Sequence, residues 1–325
     1  MDWLRVRITK PTPDTENTID WPVSPAFVGV MIGLVAVAYI MPGGYDAGLY
    51  YLRPWYIDTT TPIYMHWLLA PLTALAWPHG WAALIALTVI GARFAAWAFK
   101  HRWIVSLFSV PLLWTVWLGQ IEALVMVGAA LGWLVVHDKI HPAWFGLAAV
   151  ALLTKFQVGT GLFLLFAWWI WRDHGWRPLA WAALVAGGIG LITLIAQPDW
   201  IGLWVDRLQR LNPGDKFFSS SVFPYGLIAL PLALLPLKIP RIRRARIVAA
   251  VTLLASPYFA VYHCSTLMTL DNRRLMTLVS WLPVVPMLTA DNQTFGWIIP
   301  VAVLALDLLA TLRERAGLSQ DRLPA

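Results

Sequence analysis

The feature that most constrains this chain is a series of long apolar runs separated by short polar segments. The run Leu179–Ile195, for example, contains no charged residue. A helix needs roughly 20 mostly apolar residues to cross a bilayer. Spans in lipid are helices or closed barrels, because the backbone must be hydrogen-bonded internally, and a barrel would show short alternating strands instead. The runs therefore predict an all-α, polytopic integral membrane protein.

Composition supports the same class. The chain is 59% hydrophobic and 13% charged, with a mean hydropathy of +0.65, whereas a soluble domain carries about 25% charged residues. Its 21 tryptophans suit the membrane–water interface. The sole cysteine, Cys264, excludes an intramolecular disulfide. The net charge of +7 lies between apolar runs, so it indicates topology, and we expect no nucleic-acid partner.

The apolar runs predict roughly 10–12 hydrophobic helices, some of them tilted, broken or interfacial. We expect a polar cytoplasmic tail over residues 1–25, a multi-spanning membrane domain over 26–312 and a C-terminal tail over 313–325. The first run is expected to act as an uncleaved signal anchor. The runs are Ala26–Met41, Ile63–Trp77, Trp81–Phe99, Ile104–Leu118, Ile121–Val136, Ala143–Leu153, Val158–Trp171, Pro178–Ala196, Pro224–Leu237, Ile247–Tyr262, Leu275–Leu288 and Phe295–Leu312.

The basic residues order these runs across the membrane, because short cytoplasmic loops are rich in Lys and Arg. If Ile63–Trp77 is re-entrant or interfacial, the basic cluster of Lys238–Arg246 and the basic loops before it all fall inside. The opposite, outer side then receives most of the remaining polar chemistry. The outer segments are Gly43–Thr61, Gly119–Glu122, Thr154–Gln157, Gln197–Phe223 and His263–Arg274.

Three outer segments are candidate parts of a site. Asp46, with Tyr50 and Tyr51 nearby and Asp58 further on, is placed as a general base would be; a plain interfacial loop with aromatic anchors is the alternative. Gln120 and Glu122 are costly at membrane depth unless they face a wet cavity or are paired; the alternative is an ordinary turn. Lys155, with Gln157, interrupts an apolar stretch and suits a phosphate, or it snorkels to the interface.

The last candidates lie near the end of the membrane domain. The polar set is completed by Ser256-Pro257-Tyr258, Tyr262-His263 and Asp271-Asn272-Arg273-Arg274. Paired arginines can grip a phosphate bidentately, but they can also solvate a loop, and a lone histidine is usually structural. The sequence contains no GxxxxGK[ST] loop, no HExxH motif and no cysteine pair, so we expect no cofactor and no metal site.

Taken in order, these motifs resemble the GT-C membrane glycosyltransferases, and among them the polyprenol-phosphate-mannose-dependent α-mannosyltransferases. The resemblance lies in Asp46 with its tyrosines, Gly119-Gln120, Lys155-Phe156-Gln157 and Ser256–Tyr258. The chain departs from that family's pattern in having Thr61-Pro62-Ile63-Tyr64, Glu122 and Phe156 where Tyr-Pro-Pro, Asn and Pro are common.

The resemblance implies a GT-C-like fold and an inverting hexosyltransferase. A sugar, mannose by expectation, would pass from a polyprenyl-phosphate donor to a hydroxyl of a lipid or glycan acceptor. The site would face outward from the cell (plasma) membrane. Asp46 would be the catalytic base. The substrate-binding set would be Tyr50, Tyr51, Asp58, Gln120, Glu122, Lys155, Gln157, His263, Arg273 and Arg274. A non-catalytic membrane subunit or scaffold and a lipid-linked-sugar flippase are the alternatives.

Overall fold

The structure, a computed structural model, describes residues 24–52, 62–210, 219–235, 238–271, 273–290 and 294–316. Throughout these ranges the regular structure is helical and no strand occurs, which confirms the all-α prediction. The predicted terminal tails lie mostly outside the described residues. The helices are α1 (Pro25–Ile40), α2 (Tyr64–Thr73), α3 (His79–Ala98), α4 (Trp103–Leu107), α5 (Val110–Leu118), α6 (Glu122–Val136), α7 (Trp144–Leu152), α8 (Phe156–His174), α9 (Arg177–Ala196), α10 (Trp200–Arg210), α11 (Leu230–Leu234), α12 (Arg241–Ala255), α13 (Ser265–Leu270), α14 (Arg274–Val279), α15 (Val284–Ala290) and α16 (Ile298–Arg315).

Four helical stretches of the described chain are long and apolar enough to cross a membrane: His79–Ala98, Trp144–His174, Arg177–Ala196 and Thr294–Arg315. Shorter apolar helices accompany them at Pro25–Ile40, Glu122–Val136, Tyr225–Leu234 and Arg274–Thr289. Length and composition therefore make the fold compatible with a membrane protein.

The stretch Trp144–His174 is a helical hairpin and not one straight span. The rings of Phe145 and Phe163 stack with centroids 5.8 Å apart, whereas a continuous helix would separate them by about 27 Å. The reversal occurs at a turn of 3₁₀-helix, Leu153–Lys155, where Lys155 leaves helical geometry with φ −128° and ψ 83°. Lys155 therefore lies at the tip of the α7–α8 hairpin.

The run Ile63–Trp77 contains only the ten-residue helix α2. At 1.5 Å per residue this helix is about 15 Å long, half the hydrocarbon thickness of a bilayer. This length suits the interfacial or re-entrant interpretation of the run better than a complete span.

The core lies between α3, α6, α8 and α12, where small residues let the backbones approach, as is typical of helix packing in membranes. Gly91 of α3, for instance, packs against the backbone of Ala123 in α6. By contrast, α9 lies at the periphery, with Leu184 66% and Ile195 73% exposed. Large exposed apolar side chains of this kind are expected where lipid replaces water.

Four connections converge at one end of this core. They are the segment after α1, the α5–α6 junction, the tip of the α7–α8 hairpin and the segment between α12 and α13. Side chains from all four contact one another, over sequence separations of up to 108 residues. The core helices thus bring the scattered polar segments to one place.

Candidate functional site

The first part of the site is the contact between the loop after α1 and the α5–α6 junction. Gly119 ends α5 in the left-handed region, with φ +72°, and a Cβ there would lie 2.6 Å from the Cβ of Ala47. Only glycine combines this conformation with such an approach. The N–H of Gly44 also donates to the carbonyl of Trp117, at 2.7 Å. These contacts hold Asp46 beside Gln120.

Gln120 is buried and connects the carboxylate to the cation of the site. Its Nε2 donates a short hydrogen bond to Oδ2 of Asp46. Its Oε1 accepts from Nζ of Lys155 at 2.6 Å and from the hydroxyl of Tyr51 at 3.0 Å. Two donors at one end and an anion at the other fix the orientation of the amide, which distance alone rarely does.

Asp46 is less buried than its partners, and it lies outside the helices that are long enough to span a membrane. Burial raises the pKa of Asp46 above its usual value, while the charge of Lys155 and the hydrogen bond from Gln120 offset part of that rise. A raised pKa makes the carboxylate a stronger base than a solvated aspartate. A partly open carboxylate of this kind can accept a proton from a hydroxyl.

Lys155 is the buried cation of the site, with 4% of its side chain exposed. Its Nζ lies 3.1 Å from Oε1 of Glu122 and 4.7 Å from the ring centroid of Tyr262, in addition to its hydrogen bond with Gln120. A snorkelling lysine would extend its ammonium to water, so this alternative does not describe Lys155. The burial of Gln120 and Glu122, each 1% exposed, likewise differs from an ordinary solvated turn.

His263 closes the cluster from the segment before α13. Its Nδ1 accepts the backbone N–H of Ala260 at 2.8 Å, so the proton of the neutral ring belongs on Nε2. This atom lies 3.3 Å from Nε2 of Gln157, 3.5 Å from Nζ of Lys155 and 3.7 Å from Oε1 of Glu122. Nε2 of His263 and Nε2 of Gln157 would then both be donors, and turning the Gln157 amide so that its oxygen accepts removes this conflict. The ammonium of Lys155 is also a donor, so its contact with Nε2 of His263 is not a hydrogen bond.

The other predicted site residues of this loop, Tyr50, Tyr51 and Asp58, differ in their positions. Tyr51 is buried and joins the cluster through Gln120. Tyr50 is 36% exposed and packs edge-on against Tyr51, with ring centroids 6.4 Å apart. Asp58 lies outside the described residues.

The two arginines expected to hold a phosphate lie elsewhere. Arg273 pairs with Asp271, through Nε at 2.8 Å, and with Asp307 at 3.2 Å. Asp307 also accepts a bidentate pair from Arg246, with both distances 2.8 Å. Arg274 is exposed at the start of α14. Asp271 and Arg273 follow α13 in the chain, whereas His263 precedes it. Among the described contacts, nothing joins Arg273 to Lys155 or Asp46.

Two residues of these clusters are absent from the substrate-binding set that the sequence predicted. Tyr262 places its ring beside the ammonium of Lys155, but one aromatic residue among so many gives no distinct signal. Asp307 is 1% exposed and interrupts the apolar run Phe295–Leu312. An isolated acid in such a run is a functional or structural candidate by default, so the sequence did contain that signal.

The polar residues at this end thus form one connected chain: Asp46, Gln120, Lys155 and Glu122, with Tyr51 and His263 against it. Within the ranges that the structure describes, no group of three His, Cys, Asp or Glu side chains is arranged to hold a metal ion. A partly exposed carboxylate connected to a buried cation suits a reaction in which a proton is removed and an anionic group leaves.

Comparisons with protein-family models, curated proteins and solved structures find nothing that matches this chain.

Proposed function

We propose that this protein is a membrane glycosyltransferase. It would transfer a sugar, mannose by the resemblance, from a polyprenyl-phosphate donor to an acceptor hydroxyl, with inversion at the anomeric carbon. The observation that carries the proposal is the hydrogen-bonded connection from Asp46 through Gln120 to Lys155. It places a base and a cation in one site, where the base can serve the acceptor hydroxyl and the cation the leaving phosphate.

In the proposed reaction, Asp46 takes the proton of the acceptor hydroxyl. The hydroxyl oxygen then bonds to the anomeric carbon of the sugar while the bond from that carbon to the phosphate oxygen breaks. The polyprenyl phosphate leaves with the bonding electrons and gains negative charge, which Lys155 stabilises. Preorganised charge of this kind is worth most in a site that excludes water, and Lys155 lies in such a place.

The placement of the arginines changes the proposal relative to the sequence expectation. Arg273 has two carboxylate partners, and breaking buried pairs is costly. Lys155 is therefore proposed as the principal phosphate contact, with Gln157 and His263 beside it. Arg273 and Arg274 are not assigned to the donor.

A transfer assay tests the function directly. Purified protein in liposomes receives polyprenyl-phosphate mannose with labelled sugar together with a membrane extract that supplies acceptors. Appearance of label in a product that is no longer linked to polyprenyl phosphate supports the transferase. Movement of intact donor across the bilayer without transfer identifies a flippase, and neither activity in a folded preparation leaves the non-catalytic subunit.

The membrane orientation is part of the proposal and has its own test. We propose that Asp46 and Lys155 face the extracytoplasmic side of the plasma membrane and that the Arg241–Arg246 segment is cytoplasmic. In a Cys264→Ser background, Arg243→Cys in intact cells should resist a membrane-impermeant thiol reagent. Tyr45→Cys, from the exposed loop beside Asp46, should react. The opposite pattern would reverse the orientation.

A further inference from the structure

The charges around Lys155 pose a difficulty for an anionic donor. When both acids are ionised, Asp46 and Glu122 supply two carboxylates against the single ammonium of Lys155. The ring of His263 accepts at Nδ1 and is neutral in this arrangement. One positive charge against two negative charges leaves a net charge of −1, which opposes a phosphate.

The ammonium of Lys155 already has partners within the protein. Its Nζ lies 2.6 Å from Oε1 of Gln120, 3.1 Å from Oε1 of Glu122 and 4.7 Å from the ring centroid of Tyr262. A phosphate oxygen needs at least one of these directions. Gln120 is held by Tyr51 and Asp46 as well, so displacing it would break several contacts.

Of the two polar partners of Lys155, Glu122 has fewer other contacts than Gln120. Both of its carboxylate oxygens are buried, and within the described chain neither has a hydrogen-bond partner of good geometry, although Oε1 makes the ion pair with Lys155. A buried carboxylate without hydrogen bonds is costly. Glu122 is therefore positioned to exchange its place with another anion.

We infer that Glu122 occupies the place of the donor phosphate on Lys155 and competes with it. This inference rests on the proposed function and adds an affinity-determining residue to it. When no donor is bound, Glu122 supplies the counter-charge that the buried ammonium needs. When the donor binds, its phosphate replaces the carboxylate.

The same competition serves product release. A sugar phosphodiester carries one negative charge, whereas the polyprenyl phosphate left after transfer carries more. Lys155 would hold that product more tightly than it holds the donor. Re-formation of the Glu122–Lys155 pair then displaces the product and returns the site to its empty state.

Binding of a lipid phosphate tests the inference without any transfer. The probe is dodecyl phosphate in neutral maltoside micelles, titrated calorimetrically into the purified chain. Glu122→Gln keeps the size of the side chain and removes the competing charge, so it should bind the probe about tenfold more tightly, since like charges at a binding site are costly. Glu122→Asp, one methylene shorter, should fall between Glu122→Gln and the wild type.

Lys155→Ala should lose most of the binding, and Glu122→Gln should not restore it in the double variant. Unchanged or weaker binding by folded Glu122→Gln overturns the inference. If Glu122→Gln fails to fold, the affinity of Glu122→Asp for dodecyl phosphate is compared with that of the wild type. Weaker binding by Glu122→Asp also overturns the inference. A transferase in which Glu122→Gln binds no more tightly would refute the competition alone. The predicted order without any sugar transfer would refute the proposed function alone.

Discussion

Two groups of charged side chains lie at opposite ends of the short helix α13, and they are paired differently. In the ion-pair network of Arg246, Asp307, Arg273 and Asp271, each carboxylate has more than one contact to an arginine, and the charges balance. In the cluster at Lys155, one ammonium serves two carboxylates, and among the described residues Glu122 has no well-aligned hydrogen-bond partner. Saturated pairing fixes helices together, whereas incomplete pairing leaves capacity for a substrate.

The largest expected effect tests whether the incompletely paired cluster at Lys155 carries out the reaction. Asp46→Asn keeps the size and the contact with Gln120 but removes basicity, so it should lower turnover by about 10²–10⁴-fold. The thermal unfolding midpoint should change little. Radiolabelled sugar transfer and a thermal melt measure the two effects.

Two acids serve as controls for Asp46. Asp199→Asn, an exposed acid before α10, should leave turnover unchanged. Asp58→Asn, the other candidate in the same loop, should be mild. A large loss for Asp58→Asn together with a normal Asp46→Asn would move the base to Asp58.

The ion-pair network should respond in stability instead. Asp307→Asn leaves Arg246 and Arg273 without their shared carboxylate, and breaking a buried pair costs about 3–5 kcal/mol of unfolding free energy. Urea or thermal unfolding in detergent measures it. Glu314→Gln, which breaks an exposed pair with Arg243, is the control. An Asp307→Asn protein that is fully stable but has lost sugar transfer would assign the functional role to this network instead.

Lys155 should affect donor use more than folding. Lys155→Ala removes a charge-assisted contact worth about 1.5–3 kcal/mol, seen as a loss in kcat/KM for the donor, and Lys155→Arg should retain part of it. Lys139→Ala, an exposed lysine after α6, provides the control. Unchanged donor kinetics in Lys155→Ala would show that Lys155 does not bind the donor phosphate.

Gln120 should change the pH dependence of the reaction. Its hydrogen bond favours the charged form of Asp46 and lowers the pKa of that carboxyl, so Gln120→Leu should raise the pKa. A general base works above its pKa; the acidic limb of the rate profile should therefore move to higher pH. A limb that stays in place in the variant, or moves to lower pH, would contradict this coupling.

The smallest effect is expected at Arg274. This side chain is exposed, and surface substitutions of this kind usually stay within about 0.5 kcal/mol. Arg274→Ala should therefore leave both melting and donor KM near their wild-type values. A marked rise in donor KM would restore Arg274 to the phosphate site.

Much of the fold followed from local pattern. The apolar runs predicted helices, and the interruption at Thr154–Gln157 predicted the turn between α7 and α8, because a polar group and a cation are costly inside an apolar span. The spacing of runs did not give the breaks within them, such as the separation of α4 from α5 at Phe108–Ser109. Such breaks depend on contacts with neighbouring helices as well as on local propensity.

The sequence by itself determined that the chain is helical and apolar, and which few polar residues had to find partners away from solvent. Only the tertiary structure decided the pairing. Gln120 with Asp46 and Gln157 with His263 are separated by 74 and 106 residues. Arg273 pairs with Asp307 and does not reach the site where the sequence analysis expected it. Apolar burial is a property of each segment, whereas an ion pair requires two segments to meet, and the packing of the helices between them sets that meeting.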